Sequence, residues 1–143
     1  MRGTALAFVI SKIGLKDAEE YIEPTIVVKV VWNREIIECK ETQVAKTKGN
    51  FYVDFEETVF MDNSFEDYQR RDVTFFFEFK HYKPKKNKYS IRCWAMMEMN
   101  EILKDTPLSL EIYHKPVDFS KKNLKLHSIK KLFLHVQPKL VTA

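Results

Sequence analysis

Thr25-Ile-Val-Val-Lys-Val-Val-Trp32 is the densest run of β-branched residues in the chain, opened by Pro24 and followed by Asn33-Arg34-Glu35. Such side chains are stiff at χ1 and pack well on a pleated surface, so the run reads as a strand ending in a turn. Asp72-Val-Thr-Phe-Phe-Phe-Glu-Phe-Lys80 is too short for a typical helix and too aromatic for a loop, and reads as a buried strand. Working outward, Thr4 to Ile13 is an apolar-rich run stopped by Gly14, and Ile36 to Lys46 is a weaker strand or pair of short ones. Gly49-Asn50 supplies turn chemistry before Phe51 to Phe60, where Phe51, Val53 and Phe55 alternate with Tyr52, Asp54 and Glu56. That period of two predicts a half-buried strand with one face inward. Met61 to Arg71 is polar and suits a short helical turn, while Ser90 to Met99, Leu108 to Tyr113 and Leu132 to Val136 complete the series, the last closing before Pro138. About eight short strands without a long amphipathic helix predict one all-β domain, a β-sandwich. Phe8, Val28, Trp32, Phe55, Phe77, Trp94, Ile112 and Leu134 are its expected core.

Composition agrees. The 143 residues suffice for one domain with a sizeable core, and eleven Phe and six Tyr favour strands over helices. Three glycines exclude phosphate-cradling loops that need several. Cys39 and Cys93 are too few and too far apart for a disulfide framework or a zinc site, and read as buried or half-buried thiols in a reducing compartment. The apolar stretch from Ala5 to Ile10 is too short for a signal peptide, and no run approaches the twenty or so apolar residues of a membrane span. An intracellular, soluble protein is expected.

The net charge of +4 hides an uneven distribution. Lys80 to Arg92 (KHYKPKKNKYSIR) carries +6 without one acid, and Lys115 to Lys131 (KPVDFSKKNLKLHSIKK) carries +5, leaving the rest of the chain at −7. An acidic body with two concentrated basic segments suggests an anionic partner. The plain alternative is a pair of solvated loops kept in water by their lysines.

At Phe75 to Ile102 (FFFEFKHYKPKKNKYSIRCWAMMEMNEI) the chain resembles the C2-type domain of the axin interactor, dorsalization-associated (Aida) family. The resemblance extends to Lys12–Pro24 (KIGLKDAEEYIEP), to Leu110–Leu126 (LEIYHKPVDFSKKNLKL) and to Leu132–Val136 (LFLHV), and is weakest between Asn33 and Asp72. It implies an eight-stranded antiparallel C2-type sandwich over residues 1–143, with end loops that bind ligands or partners. C2 domains commonly dock on anionic phospholipids, with or without calcium, and many serve as protein-interaction modules. Members of the family also carry a helical N-terminal domain outside this sequence, so activities of the longer architecture are not carried over.

Calcium needs six to eight oxygens, largely carboxylate. The first loop offers Asp17, Glu19 or Glu20, and Glu23, but the opposing loop, by the resemblance His81 to Tyr89, has lysines and no acid. No metal or other cofactor is expected, and Asp17 and Glu23 are expected to cap turns or pair with lysines across the gap. A calcium dissociation constant near or below roughly 10⁻⁵ M would contradict this.

Lys80, His81, Tyr82, Lys83, Lys85, Lys86, Lys88, Tyr89 and Arg92 form the candidate anion-binding surface, with Lys121, Lys122, Lys125, Lys130 and Lys131 as a second basic segment. Near an anionic leaflet each cation contributes on the order of 1 kcal/mol. The expected partner is an anionic, phosphoinositide-bearing membrane or, alternatively, an acidic protein surface in a larger cytoskeletal, microtubule or ciliary assembly. The expected location is accordingly cytoplasmic, at a membrane surface or on the cytoskeleton or cilium. The absence of a recognition helix, ribonucleoprotein-type aromatics or a zinc finger argues against nucleic acid. His81, His114, His127 and His135 lack metal-ligand spacing, no nucleophile motif occurs, and Glu98 with Glu101 reads as a solvated edge, so no catalysis is expected.

Overall fold

Alternation along the strands builds two facing sheets in the computed structural model, which describes residues 3–102, 106–127 and 132–142. The strands are β1 (Thr4–Gly14), β2 (Ile22–Trp32), β3 (Glu35–Glu41), β4 (Thr47–Lys48), β5 (Tyr52–Ser64), β6 (Thr74–Lys83), β7 (Lys88–Glu98), β8 (Leu108–Leu110), β9 (Tyr113–His114) and β10 (Leu134–Thr142). Helices α1 (Phe65–Arg71) and α2 (Met99–Ile102) are short. One five-stranded sheet has the order β4-β5-β1-β10-β8 and the other β3-β2-β6-β7-β9, with antiparallel pairing throughout. Two of these ten strands are two-residue segments at sheet edges, so the expected eight-stranded sandwich is the one observed.

The core lies between the sheets. Leu6, Phe8 and Ile10 face Val28, Val30, Phe75 and Phe77, and the Phe8 ring meets the Phe75 and Phe77 rings edge-on at 5.0 and 5.2 Å. Both faces of strand β6 are covered: Phe75, Phe77 and Phe79 face the core, and on the other face Phe76 stands between Thr74 and the buried Glu78, which is paired with Lys29 at 2.8 Å. Phe76 points away from the main core and packs with Trp94 and Val31 beneath a strap of chain contributing Val117 and Phe119, whose ring lies 4.9 Å from Phe76. The continuous Phe run thus reflects a central strand of a covered sheet.

Several expectations need correction. Trp32 is exposed: it ends β2 one residue past the Val31–Thr74 pairing, next to a turn in which Asn33 and Arg34 both have positive φ (53° and 64°). Strand β6 stops short of it, and the Arg71 guanidinium lies over its ring at 5.2 Å. Phe51 is exposed because it precedes β5, so inward alternation starts only at Val53. The last strand runs through Pro138 to Thr142. Past Val136 it has β1 on one side but β8 no longer on the other, which makes a residue without N–H tolerable there. Cys39 is exposed on edge strand β3, while Cys93 is buried as expected. Phe8, Val28, Phe55, Phe77, Ile112 and Leu134 lie in the main core, and Trp94 is buried under the strap.

Candidate anion-docking end

The β6–β7 hairpin carries the first basic segment, and its local chemistry explains its shape. Pro84 opens a 3-10 turn (Pro84–Lys86), and Asn87 ends it in the left-handed conformation at φ 50°, which Asn tolerates better than most residues. The Tyr82 hydroxyl donates to Asn87 Oδ1, and the Tyr82 and Tyr89 rings pack edge-on at 5.0 Å. Lys83, Lys85, Lys86 and Lys88 therefore flank a braced tip.

Two acids, Asp17 of the β1–β2 connection and Glu23 at the start of β2, fix the base of the hairpin. Asp17 accepts from the Tyr21 hydroxyl at 2.9 Å, and Arg92 Nε donates to the same Tyr21 oxygen at 3.2 Å. Burial drives the Tyr21 phenol well above its ordinary range, whereas its hydrogen bond with Arg92 holds the guanidinium firmly charged. Glu23, at φ 48° ahead of Pro24, accepts from the Tyr89 hydroxyl at 2.9 Å, and this bond raises the Tyr89 phenol. Asp17 and Glu23 thus brace the hairpin through tyrosines, not through the lysines expected to pair with them. Among the described residues, no three His, Cys, Asp or Glu side chains gather as a metal ligand set.

The candidate cations divide on inspection. Lys80 is ion-paired with Glu41 at 3.0 Å and lies over the Tyr89 ring at 5.0 Å, so its charge is already matched. Among the described residues Lys83, Lys85, Lys86 and Lys88 make no ion pair. His81 is buried between the Tyr21 and Phe79 rings, and burial, then Lys83, Arg92 and Lys115, holds its imidazole below the usual range. It therefore adds shape to the end instead of charge. Tyr21, Ile22, His81, Tyr82, Lys83 and Lys86 line a groove of about 550 Å³ at the base of the tip.

Of the second segment, Lys121 lies at the opposite end of the sheet. Its ammonium binds Glu98 at 2.8 Å and the Thr74 hydroxyl at 3.0 Å. Lys122 and Lys125 are exposed, and Lys130 and Lys131 lie outside the described residues. Sequence reasoning left Lys115 out of the site, yet the β7–β9 pairing returns the chain to the hairpin end at this residue. Its charge is the largest of the influences holding the Lys83 ammonium below the ordinary lysine range, ahead of burial, Lys86, Lys88 and Arg92. This mutual repulsion marks a crowded cationic surface at the tip, with Glu20 lining the groove at its base. The signal available in the sequence was only that Lys115 opens a basic segment.

Two antiparallel sheets packed face to face, with connecting loops gathered at the sandwich ends, make a β-sandwich, here of the C2 type. A C2 domain of plant Extended Synaptotagmin 1 shares this fold at a TM-score of 0.64 and 12% identity, covering all of this chain and 98% of that one. Within that class the chain belongs to the Axin interactor, dorsalization-associated protein family: residues 2–138 match the family described as "Axin interactor dorsalisation-associated protein, C-terminal". It is 42% identical over 139 residues to the Axin interactor, dorsalization-associated proteins of Homo sapiens and Danio rerio, covering 96% of this chain and 45% of each relative. Protein A of that name from Xenopus laevis is 41% identical over 135 residues, covering 93% of this chain and 44% of the relative. The chain thus spans about half the length of the curated relatives it matches.

Proposed function

We propose that this domain is a non-enzymatic docking module that binds anionic, phosphoinositide-bearing membranes through its hairpin end without calcium. The observation that carries this reading is the convergence of Lys83, Lys86, Lys88, Arg92 and Lys115, from two distant stretches of chain, on one surface where they depress the Lys83 ammonium. An arriving anion relieves that repulsion. Lys85 and the apolar walls of the groove extend the surface, and Asp17 and Glu23 are occupied by tyrosine hydroxyls instead of being free for a divalent cation.

Co-sedimentation with phosphatidylcholine vesicles, with and without phosphatidylinositol bisphosphate, tests this. Pelleting is expected only with the anionic lipid, equally in calcium or chelator. Joint K83E, K85E, K86E and K88E substitution should abolish it. If that variant pellets as the parent does, the hairpin is not the lipid site.

A second reading has one observation behind it: the relatives are named as interactors of axin. The same surface suits an acidic protein face, and as a fixed subunit of a cytoskeletal or ciliary assembly the chain would ignore vesicles and co-purify with stable partners.

A further inference from the structure

Behind the cationic end stands a pair of imidazoles that the docking reading does not use. His114 closes β9, and the strap returns so that the His114 N–H donates to the Lys125 carbonyl at 2.6 Å and the His127 N–H to the Ile112 carbonyl at 2.8 Å. The two rings lie within 13° of parallel with centroids 5.5 Å apart, and their Nδ1 atoms are 3.3 Å apart. Nitrogens so much closer than the ring centres meet edge to edge, each Nδ1 facing the other. With one ring in its Nδ1–H tautomer, that N–H donates to the other Nδ1 lone pair and a single proton sits between the rings. The next proton goes to the Nε2 of the donor ring and makes the bridge charge-assisted. A second would set two N–H groups against each other across the 3.3 Å gap, which opposes it.

The groups around the pair set when that happens. Arg92 of β7 and Lys115, next to His114 in the chain, are cationic. Asp17 of the β1–β2 connection, an acid that acts on His127, is already bound by the Tyr21 hydroxyl. Cys93, opposite His114 across β7 and β9, is buried, and burial keeps its thiol neutral. Burial, then Arg92, then His114 hold the His127 imidazole below the usual histidine range, with Asp17 acting weakly the other way. Arg92 also acts on Lys83, so the imidazole pair and the docking lysines share that cation, and Lys115, the largest influence on Lys83, is next to His114 in the chain.

We propose that an anion docked against Lys83, Arg92 and Lys115 is bound together with one proton taken up by the His114–His127 pair, so that docking tightens as pH falls. The inference rests on the docking reading above. A docked anion screens Arg92, which weakens the cationic part of the opposition to charging the pair and leaves the part due to burial unchanged. Linkage is reciprocal, so a charged pair holds the anion more tightly. The anion is the phosphoinositide headgroup of that reading.

Inositol hexasulfate serves as the probe because its charge does not change over the relevant range. Imidazole midpoints of the 143-residue chain are followed by NMR, free and saturated with the probe, and calorimetry in two buffers of different ionisation enthalpy reads net proton uptake. The His127 midpoint is expected to rise by about one unit, and affinity by roughly tenfold between about pH 8 and pH 5.5. H127Q, and H114Q should the first variant misfold, is expected to bind like the parent at the higher pH and to lose the dependence. Saturation without movement of the midpoint, or H127Q retaining the full pH dependence, overturns the coupling and leaves docking intact. Failure of the hexasulfate and of phosphoinositide vesicles to bind at either pH overturns both. Vesicle binding that tightens with falling pH in the parent and not in H127Q supports the coupling at a lipid surface.

Discussion

Glu38 sits on an edge strand in the unremarkable run Glu35-Ile-Ile-Glu-Cys-Lys-Glu41, yet it is 9% exposed and accepts from three donors. These are the Tyr68 hydroxyl, the Asp62 N–H at 2.6 Å and Asn63 Nδ2 at 3.2 Å, which tie β3 to the end of β5 and to α1. Removing the carboxylate orphans all three, so E38A is expected to destabilise by about 3 kcal/mol, and Y68F, which removes one donor, by about 1 kcal/mol. W32A should lose less than about 1 kcal/mol, because an exposed ring under Arg71 contributes little beyond its cation–π contact. Chemical denaturation midpoints check the ranking, and W32A proving as damaging as E38A would contradict it. None of this was legible locally. A charge every third residue looks like a solvated face, and the burial of Glu38 comes from partners 24 to 30 residues away. Trp32 misled in the opposite sense, since a large aromatic at a strand end looks like core until the neighbouring strand is seen to stop short.

At the scale of elements the β6–β7 hairpin separates charge from shape. Asn87 occupies a left-handed position and accepts from Tyr82, so N87V should destabilise by about 1–2 kcal/mol through strain at a β-branched residue. It leaves every lysine in place, so vesicle binding should fall less than with the quadruple charge reversal. K115E alone should weaken binding by at least about fivefold, the order of one cation near an anionic leaflet. K121Q should leave binding unchanged, since Lys121 is paired with Glu98 at the far end. Equal losses from K115E and K121Q would show that net charge, not this surface, governs docking. The basic composition of the hairpin was plain from Lys80 to Arg92. That Lys80 is neutralised by Glu41, that His81 is buried and that Lys115 joins the tip depended on pairings between separate strands.

For the whole molecule, acid should be destabilising in the absence of an anion. Burial first of all holds the His81, His127 and His135 imidazoles below their ordinary value, with nearby cations adding to it. The unfolded chain therefore binds more protons as pH falls through about 6.5, so the stability these groups contribute is complete above that value and is lost below it. The Tm is expected to be lower at about pH 5.5 than at about pH 7.5, by roughly 4 °C per kcal/mol for a chain of this size. Inositol hexasulfate should narrow that gap, and an unchanged or rising Tm on acidification would contradict the sign. The strand series, the sandwich and the existence of two basic segments followed from the sequence alone, because period-two alternation and β-branched density are local properties that any half-buried strand imposes. Which cations act together was decided only in three dimensions. A Coulomb interaction depends on distance in space, and that distance was set by sheet register and by the strap that sends Lys115 to one end of the sandwich and Lys121 to the other.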